Sequence, residues 1–147
     1  MADKTFVEEN QAARQELAEL IARLDERSFQ CAAGSGWTVS TLLCHLAFWD
    51  RMALAMLTKW GSGGGEPPRL SAQSIDSINE AVKAISGAVP GPAAARLALD
   101  SAAAVDRQVE GIGDELRGRI VSAGFERSLM RSLHRREHLR RIREALS

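Results

Sequence analysis

Residues 36–70 read GWTVSTLLCHLAFWDRMALAMLTKWGSGGGEPPRL. The earlier part is the most apolar run of the chain, without the strict alternation of a half-buried strand. Thr38 stands where an N-cap belongs, after Gly36, and Gly61 where a helix stops, so the spacing predicts a helix of about 22 residues, roughly 33 Å long. The later part cannot continue it, because glycines and the adjacent Pro67 and Pro68 break a helix. Residues 61–70 are therefore a linker. Ten extended residues span up to roughly 33 Å, enough to run back along the helix just completed. The next helix would then lie parallel to this one.

Outward from this stretch the chain is written in helix vocabulary. Ala, Leu, Glu and Arg dominate and Tyr is absent. A first helix is predicted over 5–30, with Leu17, Leu20, Ile21 and Leu24 on one stripe and Arg14, Glu16, Glu19 and Arg23 outside it. Ile75, Ile78, Val82 and Ile85 predict another over 72–86, which GAVPGP ends. Further helices are expected over 92–112 and 125–146, while GIGDELRGRIVSAG (111–124) reads as irregular or as a short helix. The expected fold is all-α: one domain over 1–147, a four-helix bundle with one or two extra helical pieces.

Composition narrows the function classes. Lys plus Arg and Asp plus Glu both total 19, so no global field draws the molecule to nucleic acid or an anionic membrane. Cys31 and Cys44 form no Cys-x-x-Cys pair, which argues against a disulfide framework and a thiolate zinc cluster and suits a reduced compartment. MADKTFVEEN is polar and acidic, and no run reaches the roughly 18 apolar residues of a membrane span. A cytoplasmic protein is expected.

The chain has three histidines. His134 and His138, four apart in HRREH, project from one side of a helix with Cβ atoms about 6 Å apart, so their imidazoles can converge on one metal ion. His45 sits in the apolar helix among Leu42, Leu43, Leu46 and Phe48. A lone histidine there is ordinarily a core residue with satisfied nitrogens. A bundle, however, brings an early and a late helix around one interior, and three imidazoles would make a site with open positions. HRREH also reads His-x-x-Glu-His, the inverted zinc-protease signature, but that needs an acidic ligand well downstream and only nine residues follow His138. Glu137, about 100° around the helix from His138, could support a ligand imidazole or accept a proton at the rim. Its ordinary role would be pairing with Arg141.

GWTVSTLLCHLAFWD (36–50), IDSINEAV (75–82) and HRREHL (134–139) resemble, in this order, segments of the DinB-like superfamily. The resemblance implies a four-helix bundle of up-down-down-up topology with a long crossover between helices two and three. It maps a metal triad onto His45, His134 and His138, and implies a divalent ion, nickel or zinc, with water completing the shell, commonly in a homodimer. Members of known activity include S-transferases and an isomerase that use a low-molecular-weight thiol such as mycothiol or bacillithiol. A metal held by three neutral imidazoles keeps its charge and can lower the pKa of such a thiol. Trp49 and Asn79 are candidate substrate-binding residues beside it; aromatics placed as Trp37 and Trp49 are more often core anchors, and Asn79 could cap a neighbouring helix or bond to a metal-bound water. Cys44, about 100° around the helix from His45, reads as structural. The region before His134, FERSLMRSL, lacks the aromatics frequent in the family, and residues 87–124 carry no matching motif.

Two rivals remain. From Arg117 onward there are nine arginines and three glutamates, whereas residues 1–30 are acidic. That basic helix could neutralise phosphates on a nucleic acid, or be a solvated face paired with the acidic first helix. The other rival is a non-catalytic metal-binding dimeric bundle acting in stress response or partner binding.

Overall fold

The computed structural model describes residues 5–147. Its elements are α1 (Thr5–Ile21), a single turn α2 (Glu26–Phe29), α3 (Val39–Lys59) running into a π turn (Trp60–Gly64), α4 (Ala72–Ser86), α5 (Gly91–Glu110), α6 (Asp114–Ser122), a 3-10 turn (Glu126–Ser128) and α7 (Ser132–Leu146). The fold is an all-α helical bundle. No helix is long and apolar enough to cross a membrane among the described residues.

The decisive helix begins where its sequence says. Thr38 Oγ1 accepts from the Thr41 amide at 3.1 Å while Thr41 Oγ1 accepts from the Thr38 amide at 2.8 Å, so two amides that a helix start leaves orphaned are satisfied reciprocally. Four helices, α1, α3, α5 and α7, then share the core. One end packs Leu17 and Leu20 of α1 with Val39, Leu42 and Leu46 of α3, Ala94 and Ala98 of α5, and Leu139 and Ile142 of α7. The other end packs Phe6 with Leu57, Val105, Val109 and Leu129. Late residues of α1 and α7 thus meet early residues of α3 and α5. The helices run up, down, down, up.

The crossover differs from the expectation that residues 72–86 lie parallel to α3 as the third bundle helix. Asn79 bonds to Trp49, and Lys83 near the end of α4 donates to the Ser35 carbonyl just before α3, so α4 runs antiparallel to α3 and carries the chain back. The parallel third helix is α5. The reason lies in burial: Ile75, Ile78 and Val82 are only half-buried and Ile85 is 73% exposed, whereas Ala94, Ala98 and Ala102 on α5 are at most 1% exposed and let α5 approach α3 closely. An outrigger on one helix needs one weak stripe; a core helix needs a sealed one.

Helix ends explain the other differences. The predicted helix over 5–30 breaks after Ile21, and Asp25 restarts the chain by accepting from the Ser28 amide at 2.8 Å. The predicted helix over 125–146 begins only at Ser132, because Asn10, 1% exposed, fixes the entry: its Nδ2 donates to the Leu129 carbonyl at 2.7 Å and its Oδ1 accepts from the Ser132 amide at 2.9 Å. The ambiguous 111–124 segment holds the short helix α6, closed by Gly124 at φ 85°.

Asn10→Ala strands the Leu129 carbonyl and the Ser132 amide in the interior. At about 1–3 kcal/mol for each unsatisfied group, urea unfolding should show a midpoint clearly lowered with an unchanged slope, and an unaltered midpoint would contradict this role.

Candidate metal centre

α3 and α7 cross as neighbours, which brings His45 from the second turn of α3 against His134 and His138 from the first two turns of α7. His45 Nε2 and His134 Nε2 face each other at 3.1 Å. The three rings lie 4.6 to 5.1 Å apart between centroids, and each offers a ligand atom within 4.8 Å of the others. Among the described residues this is the one such cluster. Trp37 closes it with an edge-on ring 5.2 Å from His45.

Burial keeps these imidazoles neutral. His45 is lowered to about 4 by burial, then by His138 and Arg141. His138 is lowered to about 4 by burial, then by Arg141 and Arg140. His134 is held well below its ordinary value by burial, then by Arg131. All three are therefore in the form that binds metal at neutral pH.

The donor set fits a metal ion. Nδ1 of His45 and Nδ1 of His138 are buried without a hydrogen-bond partner, and Nε2 of His45 meets only another imidazole nitrogen, Nε2 of His134. Polar nitrogens gathered in an interior with so few partners have a natural use in coordination. One feature is unusual for such a site. A metal-bound imidazole commonly donates its other N–H to an acceptor, but His134 Nδ1 meets Arg131 Nη2 at 3.4 Å. A guanidinium only donates, so His134 Nδ1 accepts and the neutral ring carries its proton on Nε2. For Nε2 to bind a cation, that long contact must yield.

Arg131 belongs to a buried charge network. Asp50, 1% exposed, accepts from Arg131 Nε at 2.8 Å and pairs with Arg135 at 3.3 Å. Arg135, with no exposure at all, pairs with Asp106 at 2.7 Å and donates to the carbonyls of Asn10 and Ala102. Arg14 meets Asp106 at 3.6 Å from the far side. Burial raises the Asp106 carboxyl against the lowering pull of Arg135. None of these residues was singled out from the sequence. The signal was present in α7, where Arg131, Arg135, His138 and Ile142 follow at 4, 3 and 4 spacing, so arginine occupies core positions of the helix.

The remaining arginines are largely engaged. Arg136 pairs with Glu9 and Glu16, as the acidic first helix suggested. Arg140 pairs with Glu144. Arg141 donates to the carbonyls of Ala33 and Gly34, so the expected Glu137–Arg141 pair does not form. Glu137 is exposed and has no ion pair among the described residues. Arg119, Arg127 and Arg143 are exposed and have no ion pair among the described residues.

The histidines open on a cleft of about 990 Å³ between α3, α4, the linker and the turn before α7. Trp49 Nε1 donates to Asn79 Oδ1 at 2.8 Å across this cleft, and both residues line it, as does Glu137. Cys44 does not line it: it is buried in the core, where desolvation raises its thiol pKa. The family model described as the mycothiol maleylpyruvate isomerase N-terminal domain matches residues 10–141. No curated protein and no solved structure matches the chain.

Removing the hub of the network tests how far the fold depends on it. Arg135→Met leaves Asp50 and Asp106 with less than their buried charge needs, and should cost about 3–5 kcal/mol. Arg136→Met, at the surface, should cost no more than about 1 kcal/mol. Equal losses in urea unfolding would contradict the distinction.

Proposed function

Since the chain belongs to the mycothiol maleylpyruvate isomerase N-terminal domain family, within the DinB-like superfamily, we propose that it is a metal-dependent transferase acting on a low-molecular-weight thiol of the mycothiol or bacillithiol type. The observation that carries this reading is the convergence of all three histidines, neutral and within 4.8 Å of one another, at the wall of an open cleft. His45, His134 and His138 would hold a divalent ion, nickel or zinc. Such an ion supplies the positive charge that lowers the pKa of a thiol brought to it, the thiolate being the attacking form.

The chain's own residues do the rest. Asp50 holds Arg131 by an ion pair, which keeps that guanidinium paired when its long contact to His134 yields. The Trp49 N–H occupies the Asn79 oxygen, which leaves the Asn79 amide nitrogen free to donate to a ligand in the cleft. Met52, Met56 and Ile75 give the cleft an apolar side for the carbon skeleton of an electrophile. Glu137, at the rim and without an ion pair among the described residues, is available to take up a proton. The homodimer and cytoplasmic setting implied by the resemblance accompany this reading. A purely structural zinc normally has four protein ligands. Three ligands facing a cleft favour chemistry over a non-catalytic bundle, and a balance of 19 basic against 19 acidic residues disfavours nucleic acid.

Elemental analysis of tag-free protein should give about one nickel or zinc per chain, lost in both His45→Ala and His138→Ala. The loaded protein should then transfer a thiol to an electrophile, and the variants should not. Metal retained in either variant, or none taken up on reconstitution, would overturn the site.

A further inference from the structure

One wall of the histidine cleft is not built by the bundle. Pro68, Arg69 and Leu70 line it from the linker, as do Gly124 and Phe125 from the turn after α6. Residues 61–71 are exposed apart from half-buried Pro67, so burial contributes little to holding this segment in place. Gly63 and Gly65 adopt φ of 92° and 74°, and a Cβ at either would meet nothing within 4 Å. These glycines serve backbone freedom, not close packing.

The ends of the segment are firm. Trp60, 7% exposed, anchors its start and stacks edge-on against Phe125 at 5.6 Å. Ser71 anchors its end by capping α4 through the Ser74 amide at 3.1 Å. Between them, Arg69 is the tie to the bundle. Its guanidinium donates to the Ala123 carbonyl, pairs with Glu66 at 3.2 Å and lies 4.7 Å over the Phe125 ring.

We propose that residues 61–70 are a hinged strap over the cleft, latched by Arg69 onto Ala123 and Phe125, and that this latch controls how fast a ligand reaches the histidines. Ser62 bonds only back to the Lys59 carbonyl at the segment's own start, and a segment with little buried surface, a glycine hinge and one polar tie to the opposite wall opens at low free energy while the helices beside it stay closed. Its fixed ends make the motion a swing, not a fraying. Arg69 is thus a gating residue: with the latch closed a ligand enters only when the strap swings away, and with it released the cleft is open more of the time. The inference rests on the cleft being the binding site of the proposed function and is independent of the metal's identity.

Because the three histidines of the chain all line this cleft, their acylation by diethyl pyrocarbonate, followed by the ultraviolet absorbance of the modified imidazole, reports on the cleft alone. It is measured on the protein as purified and again after chelation, beside amide hydrogen exchange. Arg69→Ala should speed exchange on the order of tenfold in the strap and around Ala123–Phe125, leave α5 unchanged, and speed acylation several-fold. Leu20→Ala, which loosens the opposite end of the core, away from Trp60, Ala123 and Phe125, should do neither locally. Unchanged exchange or unchanged acylation in Arg69→Ala overturns the strap, and so does an equal effect from Leu20→Ala. Acylation insensitive to chelation would count against a metal on the histidines, a separate failure that leaves the strap standing.

Discussion

A guanidinium with no access to water lies at the centre of this bundle, and the rest of the structure is arranged around it. Desolvating such a charge costs several kcal/mol unless its hydrogen bonds are met inside the protein. Arg135 meets them from every other helix of the bundle: the Asn10 carbonyl on α1, Asp50 on α3, and Asp106 with the Ala102 carbonyl on α5. No helix can slide or rotate without leaving a charge unmatched. An apolar layer tolerates small shifts of register at little cost, whereas a planar fork bonded on all sides does not.

This constraint is also what builds the candidate site. Arg135 lies between His134 and His138 on α7, and Asp50 lies five residues after His45 on α3. Fixing the Arg135–Asp50 pair therefore fixes the register of α3 against α7, and with it the approach of the three imidazoles. Asp50 extends the same control outward, since its second oxygen holds Arg131, which touches His134. Asn10 acts at the same junction by setting where α7 starts. Fold and site share one set of buried polar groups, so the core next to the histidines is polar by design and not by default.

The sequence disclosed what depends on local chemistry. Thr38 as an N-cap, α4 over 72–86, the Gly/Pro linker and the histidine pair all follow from neighbours in the chain, while His45 joined the pair through the expected bundle and then through the resemblance. What escaped depends on distant contacts. Nothing near Asn10 says that it will set the start of a helix more than a hundred residues later. Nothing in the isoleucine stripe of α4 says that the alanines of α5 will pack more closely on α3. The arginines of α7 were read as a surface because charge is ordinarily solvated, and two of them, Arg131 and Arg135, are interior. Their aspartates lie on other helices, and only the fold brings them together.

The arginines impose a condition on the chemistry as well. Arg131 and Arg141 line the cleft beside the imidazoles, and their charge adds to burial in keeping those rings unprotonated. The same charge repels a cation, so an ion could be held there only through direct bonds to nitrogen and not through a favourable field. Asp50 moderates the repulsion by neutralising Arg131 from behind, while Arg141, bonded to carbonyls, has no carboxylate partner among the described residues. An ion held by His45, His134 and His138 would supply positive charge, and with the Arg141 guanidinium it would favour the anionic form of a ligand in the cleft. Asp76, Glu80 and Glu137 also line the cleft, so its charge is mixed and the two guanidiniums act through their nearness to the imidazoles.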